Sequence, residues 1–197
     1  MAETMMQSSL RLDDERLPLL GIAAWSGTGK TTLLESLLPR LRQRDLKVAV
    51  IKHAHHAFDV DQPGKDSHRL RQAGATPMLV ASRARMAMMM ETPDQEDADL
   101  ATLIECLRPL APDLVLVEGF KAWPLPKLEL HREALGKPLM AWEDPWIRAV
   151  ASNTELALPR DVETLDLDDI EALTDWIAAW PGRWSRMRTP RPMETQP

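Results

Sequence analysis

Cysteine occurs once in this 197-residue chain, as Cys106, which excludes both a disulfide framework and a cysteine-based metal site. Its neighbours Leu103, Ile104 and Leu107 suggest a core thiol rather than a nucleophile. Tyrosine is missing and phenylalanine occurs twice against seven tryptophans, an imbalance that points to no function by itself. No apolar run approaches the ~18 residues of a membrane span, and residues 1–17 lack the h-region of a secretory leader. Acidic residues outnumber basic ones, 30 to 24, and the net charge of −6 argues against broad binding to nucleic acid or anionic membrane. Internal repeats are absent. What remains is a cytoplasmic α/β domain long enough to bury a full core.

The informative stretch runs from Leu19 to Leu34. It reads as a buried strand (18–24), a small-residue loop and the opening of a helix. The loop fits G-x-x-x-x-G-K-[ST] with Ala24 at the first Gly position. Gly27 and Gly29 let the backbone curl so that N–H groups point at phosphate oxygens, and the helix dipole brings positive potential to the same place. Lys30 reaches β- and γ-phosphates, and the Thr31 hydroxyl suits Mg²⁺. The loop holds its turn with Ala24 provided that residue keeps negative φ.

In chain order, residues 1–17 form a flexible lead, 18–181 the nucleotide-binding domain and 182–197 a flexible tail. Leu33, Leu34, Leu37, Leu38 and Leu41 have helical spacing, with Pro39 expected to kink or shorten that helix. Strands are expected at 47–51, 77–82, 85–90, 113–118, 127–131 and 146–151, a loop at 62–67 feeding a short helix to about Gln72, and helices at 97–107 and 168–180, the last closed by Pro181-Gly182. Strands alternating with helices predict a mostly parallel, doubly wound sheet flanked by helices, a P-loop NTPase whose ligand crevice lies beyond the carboxyl ends of the strands.

Several residues carry chemistry. Glu118 ends a strand where a carboxylate holds Mg²⁺ or its water shell in phosphate-loop proteins, the other reading being a solvated strand-end acid. The cluster His53, His55, His56, Asp59, Asp61 and Lys65 suits a nucleotide-sensing loop, a plain polar loop or a transition-metal site. N-K-x-D is missing. The chain's only asparagine, Asn153, follows the last core strand, where its amide could donate to guanine O6, and the base stays open. The Met86–Met90 run and the Trp142–Trp146 segment read as core strand and buried loop. A small-molecule kinase would need an Arg-rich lid and an acceptor-site base, and neither shows.

Residues 23–32 (Ala-Ala-Trp-Ser-Gly-Thr-Gly-Lys-Thr-Thr), 51–56 (Ile-Lys-His-Ala-His-His), 63–67 (Pro-Gly-Lys-Asp-Ser), 116–121 (Leu-Val-Glu-Gly-Phe-Lys) and 149–152 (Ala-Val-Ala-Ser) together resemble the MobB family of molybdopterin-guanine dinucleotide biosynthesis adaptors. The resemblance spans residues 18–181. It implies a homodimeric, GTP- and Mg²⁺-binding protein with weak GTPase activity. Such proteins assist a MobA-type guanylyltransferase that attaches GMP to molybdopterin, and molybdopterin itself is a candidate ligand. Carried over, Ser26, Gly27, Thr28, Gly29, Lys30, Thr31 and Thr32 hold phosphates, Thr31, Asp61 and Glu118 serve Mg²⁺, and Asp59 and Asp61 lie near the γ-phosphate. Asn153 stands where many relatives are expected to carry Asp as guanine reader, a departure that bears on base selectivity. The alternative from a different class is a GTP-dependent metal-delivery protein using His53, His55 and His56.

Overall fold

The structure, a computed structural model, describes residue 12 and residues 14–54, 58–159 and 161–193. Leu19–Ala24 is buried at every position and forms β1. A strand with both faces buried needs pairing on both edges and a layer over each face. Its neighbours are β5 (Leu114–Glu118) and β6 (Lys127–His131). Beyond β5 lies β2 (Val48–Lys52), and beyond β6 lie β7 (Ile147–Ser152) and β8 (Glu163–Asp166). The order is β2-β5-β1-β6-β7-β8 and every pairing is parallel. All six strands therefore end at one edge of the sheet, as the expected architecture requires.

Helix α1 (Lys30–Gln43) buries Leu33, Leu34, Leu37 and Leu41. Pro39 lies within it but does not shorten it: the helix continues to Gln43, and the Arg40 guanidinium donates to the Ser36 carbonyl (2.9 Å) in the turn that the proline deprives of an N–H. α1 lies against α4 (Ile170–Ala178) through Arg40–Glu171 (2.8 Å) and Arg44–Asp175 (2.6 Å). In α3 (Leu100–Leu107), capped by Asp99, Leu100 and Ile104 face inward, and Cys106 is exposed. The core-thiol expectation fails because position 106 falls off the face set by 100 and 104.

Described residues of the expected flexible lead and tail are packed. Pro181 does not stop the terminal helix. It occupies the first turn of a new one, α5 (Trp180–Met187), where a proline needs no N–H partner. Trp180 Nε1 donates to the Leu19 carbonyl and Trp184 Nε1 to the Glu15 carbonyl, both at 2.9 Å. Glu15, almost fully buried, takes the Arg108 guanidinium at 2.7 and 3.1 Å. Arg191 is buried and donates to the Ala141 carbonyl. Leu12, Glu15, Trp184 and Arg191 are thus part of the packed body. Strand β8 also went unforeseen: Glu163–Asp166 is short, polar and largely exposed.

The chain divides into two compact units, one running to His53 and resuming at Asp99, the other Ala54–Ala98. The second contains α2 (Asp66–Gln72) and an antiparallel hairpin of β3 (Met78–Ala81) and β4 (Met86–Met89). None of its described residues is buried.

Replacing Trp184 with Ala removes a buried indole and its hydrogen bond, and large aromatic truncations of this kind cost about 3–5 kcal/mol. The expected result in urea unfolding is a clearly lower midpoint with unchanged slope, whereas an appendage would leave the midpoint where it is.

Candidate functional site

The loop between β1 and α1 is built for an anion. Gly27 (φ +83°) and Gly29 (φ +96°) adopt left-handed conformations, and a Cβ on Gly29 would meet nothing within 4 Å. Ala24 is not among the positive-φ residues, so its methyl group costs the turn nothing. Thr28 is buried and ties the loop together, its hydroxyl donating to the Trp25 carbonyl (2.7 Å). α1 has Gly29 as its N-cap, with no side-chain cap and no acid in its first turn, while Asp99 and Asp169 cap α3 and α4. Its first N–H groups and the positive end of its dipole are left for a ligand. Lys30 is folded back, its ammonium 3.5 Å from the Ala24 carbonyl.

The strand register sets what stands beside the loop. Glu118 pairs with Ile22 on one side and Lys52 on the other, and Lys52 Nζ lies 2.8 Å from Glu118 Oε2. Glu118 is followed by Gly119 (φ +99°), where a Cβ would come 2.7 Å from His53 Cβ, so only glycine allows β2 to approach this closely. His53 donates its N–H to the Glu118 carbonyl (2.8 Å), and its ring stacks on Phe120 at 4.7 Å. From the β6 side, Arg132 Nε donates to the Thr28 carbonyl (3.2 Å), and Trp25 Nε1 donates to the Pro138 carbonyl (2.9 Å). These loop contacts to Arg132 and Pro138 had no counterpart in the sequence reading. Only the position of Arg132 directly after a strand could have hinted at one.

Ser26, Gly27, Thr28, Gly29, Lys30, Thr31, Thr32 and Glu118 are thus gathered at the carboxyl edge. Thr31 and Glu118 offer hydroxyl and carboxylate oxygens, the donor types that suit Mg²⁺. Asn153 is exposed just past β7, two strands from β1 and so roughly 10 Å along the same edge. Asp59 and Asp61 belong to the second unit, where Arg71 holds both, at 2.8 and 3.3 Å, together with Glu91 at 2.7 Å. The Asp61 N–H and Arg71 keep the Asp59 carboxyl below its ordinary value. Burial pushes the Asp61 carboxyl up, but hydrogen bonds from Ser67, Gln62 and Arg71 outweigh it and leave it lowered. His55 and His56 lie outside the described residues, and among the described residues no group of three or more His, Cys, Asp and Glu could hold a metal. The methionine run is not core: Met86, Met88 and Met90 are 67%, 52% and 49% exposed.

One face of β6 is polar and buried. Lys127 pairs with Asp144 (2.8 Å), and Glu129 accepts the Met140 and Ala141 N–H groups, both at 2.9 Å. Burial pushes the Glu129 carboxyl up to about 7, against those two donors.

A family profile described as "MobB: Molybdopterin guanine dinucleotide synthesis protein B" matches residues 19–153. The chain is 48% identical over 165 residues to the molybdopterin-guanine dinucleotide biosynthesis adapter protein of Escherichia coli K12, covering 83% of this chain and 93% of the relative. The chain belongs to the MobB family. Its Haemophilus influenzae relative of the same description is 44% identical, covering 85% of this chain and 91% of the other. The crystal structure of Bacillus subtilis MobB superposes with a TM-score of 0.64 at 24% identity, over 83% of this chain and 98% of that one, so the MobB fold is also the fold found here.

Glu129 yields a prediction on pH. Its folded value lies above the ordinary 4.5, so between pH 4.5 and about 7 unfolding releases its proton, and its contribution to stability falls as pH rises through that window. Measured by thermal melting, Glu129→Gln should gain on the wild type between pH 5 and pH 8, by on the order of 1–3 kcal/mol. A constant difference would show that Glu129 titrates normally.

Proposed function

We propose that this chain is a GTP-binding adaptor of molybdopterin-guanine dinucleotide biosynthesis. In this reading it is cytoplasmic, assists a MobA-type guanylyltransferase in attaching GMP to molybdopterin, and uses slow GTP hydrolysis as a switch. The observation that carries the reading is the uncapped α1 behind a doubly left-handed glycine loop, set one strand from Glu118, in a chain nearly half identical to a named adapter. Lys30 leaves the Ala24 carbonyl for the β- and γ-phosphate oxygens. Thr31 and Glu118 would hold Mg²⁺, which supplies charge neutralisation at those oxygens. In hydrolysis water attacks the γ-phosphorus and the bond to the β–γ bridging oxygen breaks. Asp59 and Asp61 are the side chains proposed for that end, and their commitment to Arg71 fits a low rate. Asn153 is proposed to meet the base. The family match supports this reading over metal delivery through His53, His55 and His56.

Calorimetric titration with GTP and with ATP, each with Mg²⁺, tests it. GTP should bind at least about tenfold more tightly than ATP, a difference of ~1.4 kcal/mol, and Lys30→Ala should abolish measurable binding. Equal affinities would leave the phosphate site standing and remove guanine selectivity. No binding of either nucleotide would sink the proposal.

The homodimer is proposed to form through the hairpin. Leu79 pairs with Met88 and Ala81 with Met86, so these residues share one face, and Leu79, Met86 and Met88 are 54%, 67% and 52% exposed. Such a contiguous apolar face on a two-stranded ribbon marks an interaction surface. Leu79→Lys with Met88→Lys should turn a dimer into a monomer in light scattering and leave nucleotide binding intact. A double variant of unchanged mass would place the interface elsewhere.

A further inference from the structure

Trp25 lies inside the phosphate loop, between Ala24 and Ser26, and its indole is anchored by the bond to the Pro138 carbonyl (2.9 Å). Two ammonium groups stand at its ring, Lys121 at 4.9 Å and Lys137 at 5.8 Å from the centroid. Lys121 arrives there through the turn after β5, its N–H donating to the Gly119 carbonyl (2.9 Å). That turn puts the Glu118 carboxylate and the Lys121 ammonium at the tip of one strand, directly beside β1. Glu118 is matched by Lys52, and Asp144 by Lys127. Neither Lys121 nor Lys137 makes an ion pair among the described residues. Burial, and then the charge of Lys30, hold Lys121 below the ordinary lysine value, so the two ammonium groups repel each other across the loop. The carboxylate that acts on Lys121 is Glu129, itself buried and reluctant to ionise.

We propose that Lys121, seated on the Trp25 ring, is the second cation of the phosphate site and binds the terminal phosphate, so that the protein distinguishes a nucleoside triphosphate from a diphosphate. The proposal rests on the nucleotide-binding reading above and assigns a residue outside the loop motif. Lys30 and the loop N–H groups hold the phosphates shared by both nucleotides. A terminal phosphate dianion placed between Lys30 and Lys121 converts their repulsion into two attractions, and a diphosphate leaves that position empty. Trp25 gives the lysine stem an apolar seat and the ammonium a favourable ring face, which orders the cation before the ligand arrives. Lys137 adds positive potential at the same ring.

The test is calorimetric titration of the full chain with GTP and GDP, each with Mg²⁺, for wild type, Lys121→Met and Lys121→Arg. Methionine keeps the apolar stem over the indole and removes only the charge. Lys121→Met should lose roughly ten- to hundredfold in GTP affinity, with GDP affinity held within about twofold, and Lys121→Arg should restore most of the loss. Equal losses for GTP and GDP, or an unchanged GTP affinity in Lys121→Met, would overturn the assignment and leave the nucleotide site in place. A wild type that binds neither nucleotide would bring down the nucleotide reading itself.

Discussion

Parallel pairing on both edges of β1 governs where each charged group of the site stands. Ile22 faces Glu118 across one edge and Leu128 across the other, so the phosphate loop leaves the sheet in a gap walled by the ends of β5 and β6. From the first wall come Glu118 and Lys121, and from the second Arg132, which binds the Thr28 carbonyl. A slip of one residue in either register would turn each strand's side chains to the opposite face and separate the carboxylate from the loop. Hydrophobic burial enforces the register, because β1 is buried throughout and the first four residues of β5 are buried with it. The chemistry of the edge is therefore positioned by the apolar middle of the strands.

The polar face of β6 solves a different problem. The connection from β6 to β7 carries only short 3-10 turns, at Glu133–Leu135 and Met140–Trp142, where a parallel crossover usually has a helix. Without an amphipathic helix to bury, the connection is bound by polar anchors. Trp25 holds Pro138, Glu129 holds the N–H groups of Met140 and Ala141, and Lys127 holds Asp144. Gly21 makes room for this: a Cβ there would lie 2.9 Å from Lys127 Cγ, so the lysine stem crosses β1 only because that residue has no side chain. Buried ionisable groups carry a desolvation cost of several kcal/mol each, and they persist here because each has partners of fixed geometry. The phosphate loop is thereby tied through Trp25 to a segment that reaches the start of β7.

Features set by local rules were legible in the sequence. The phosphate loop, the buried runs of β1 and β5, and the leucine period of α1 all depend on spacing within a dozen residues. Features set by tertiary context were not. Pro181-Gly182 reads as a stop, yet Pro181 is tolerated in a first turn once Trp180 and Trp184 find carbonyl partners far away in the chain. Asp59 and Asp61 read as part of a nucleotide-sensing, plain polar or metal-binding loop, and nothing in the spacing shows that Arg71 reaches both. Lys121 was visible within Val-Glu-Gly-Phe-Lys, but its place at Trp25 follows from the β5–β1 pairing alone. Polar, exposed β8 has neither alternation nor a β-branched run to announce it.

The methionine run shows the limit most clearly. Apolar residues on a strand say that a face is to be covered, and they do not say by what. A segment the size of Ala54–Ala98 has too little interior to bury a core of its own. It is held instead by the Arg71 network and by hairpin pairing, both of which order the backbone without covering Leu79, Met86 or Met88. The network does this because one guanidinium with five donors fixes three carboxylates in known directions. The exposed hairpin face is then the part of the second unit that its own sequence leaves uncovered.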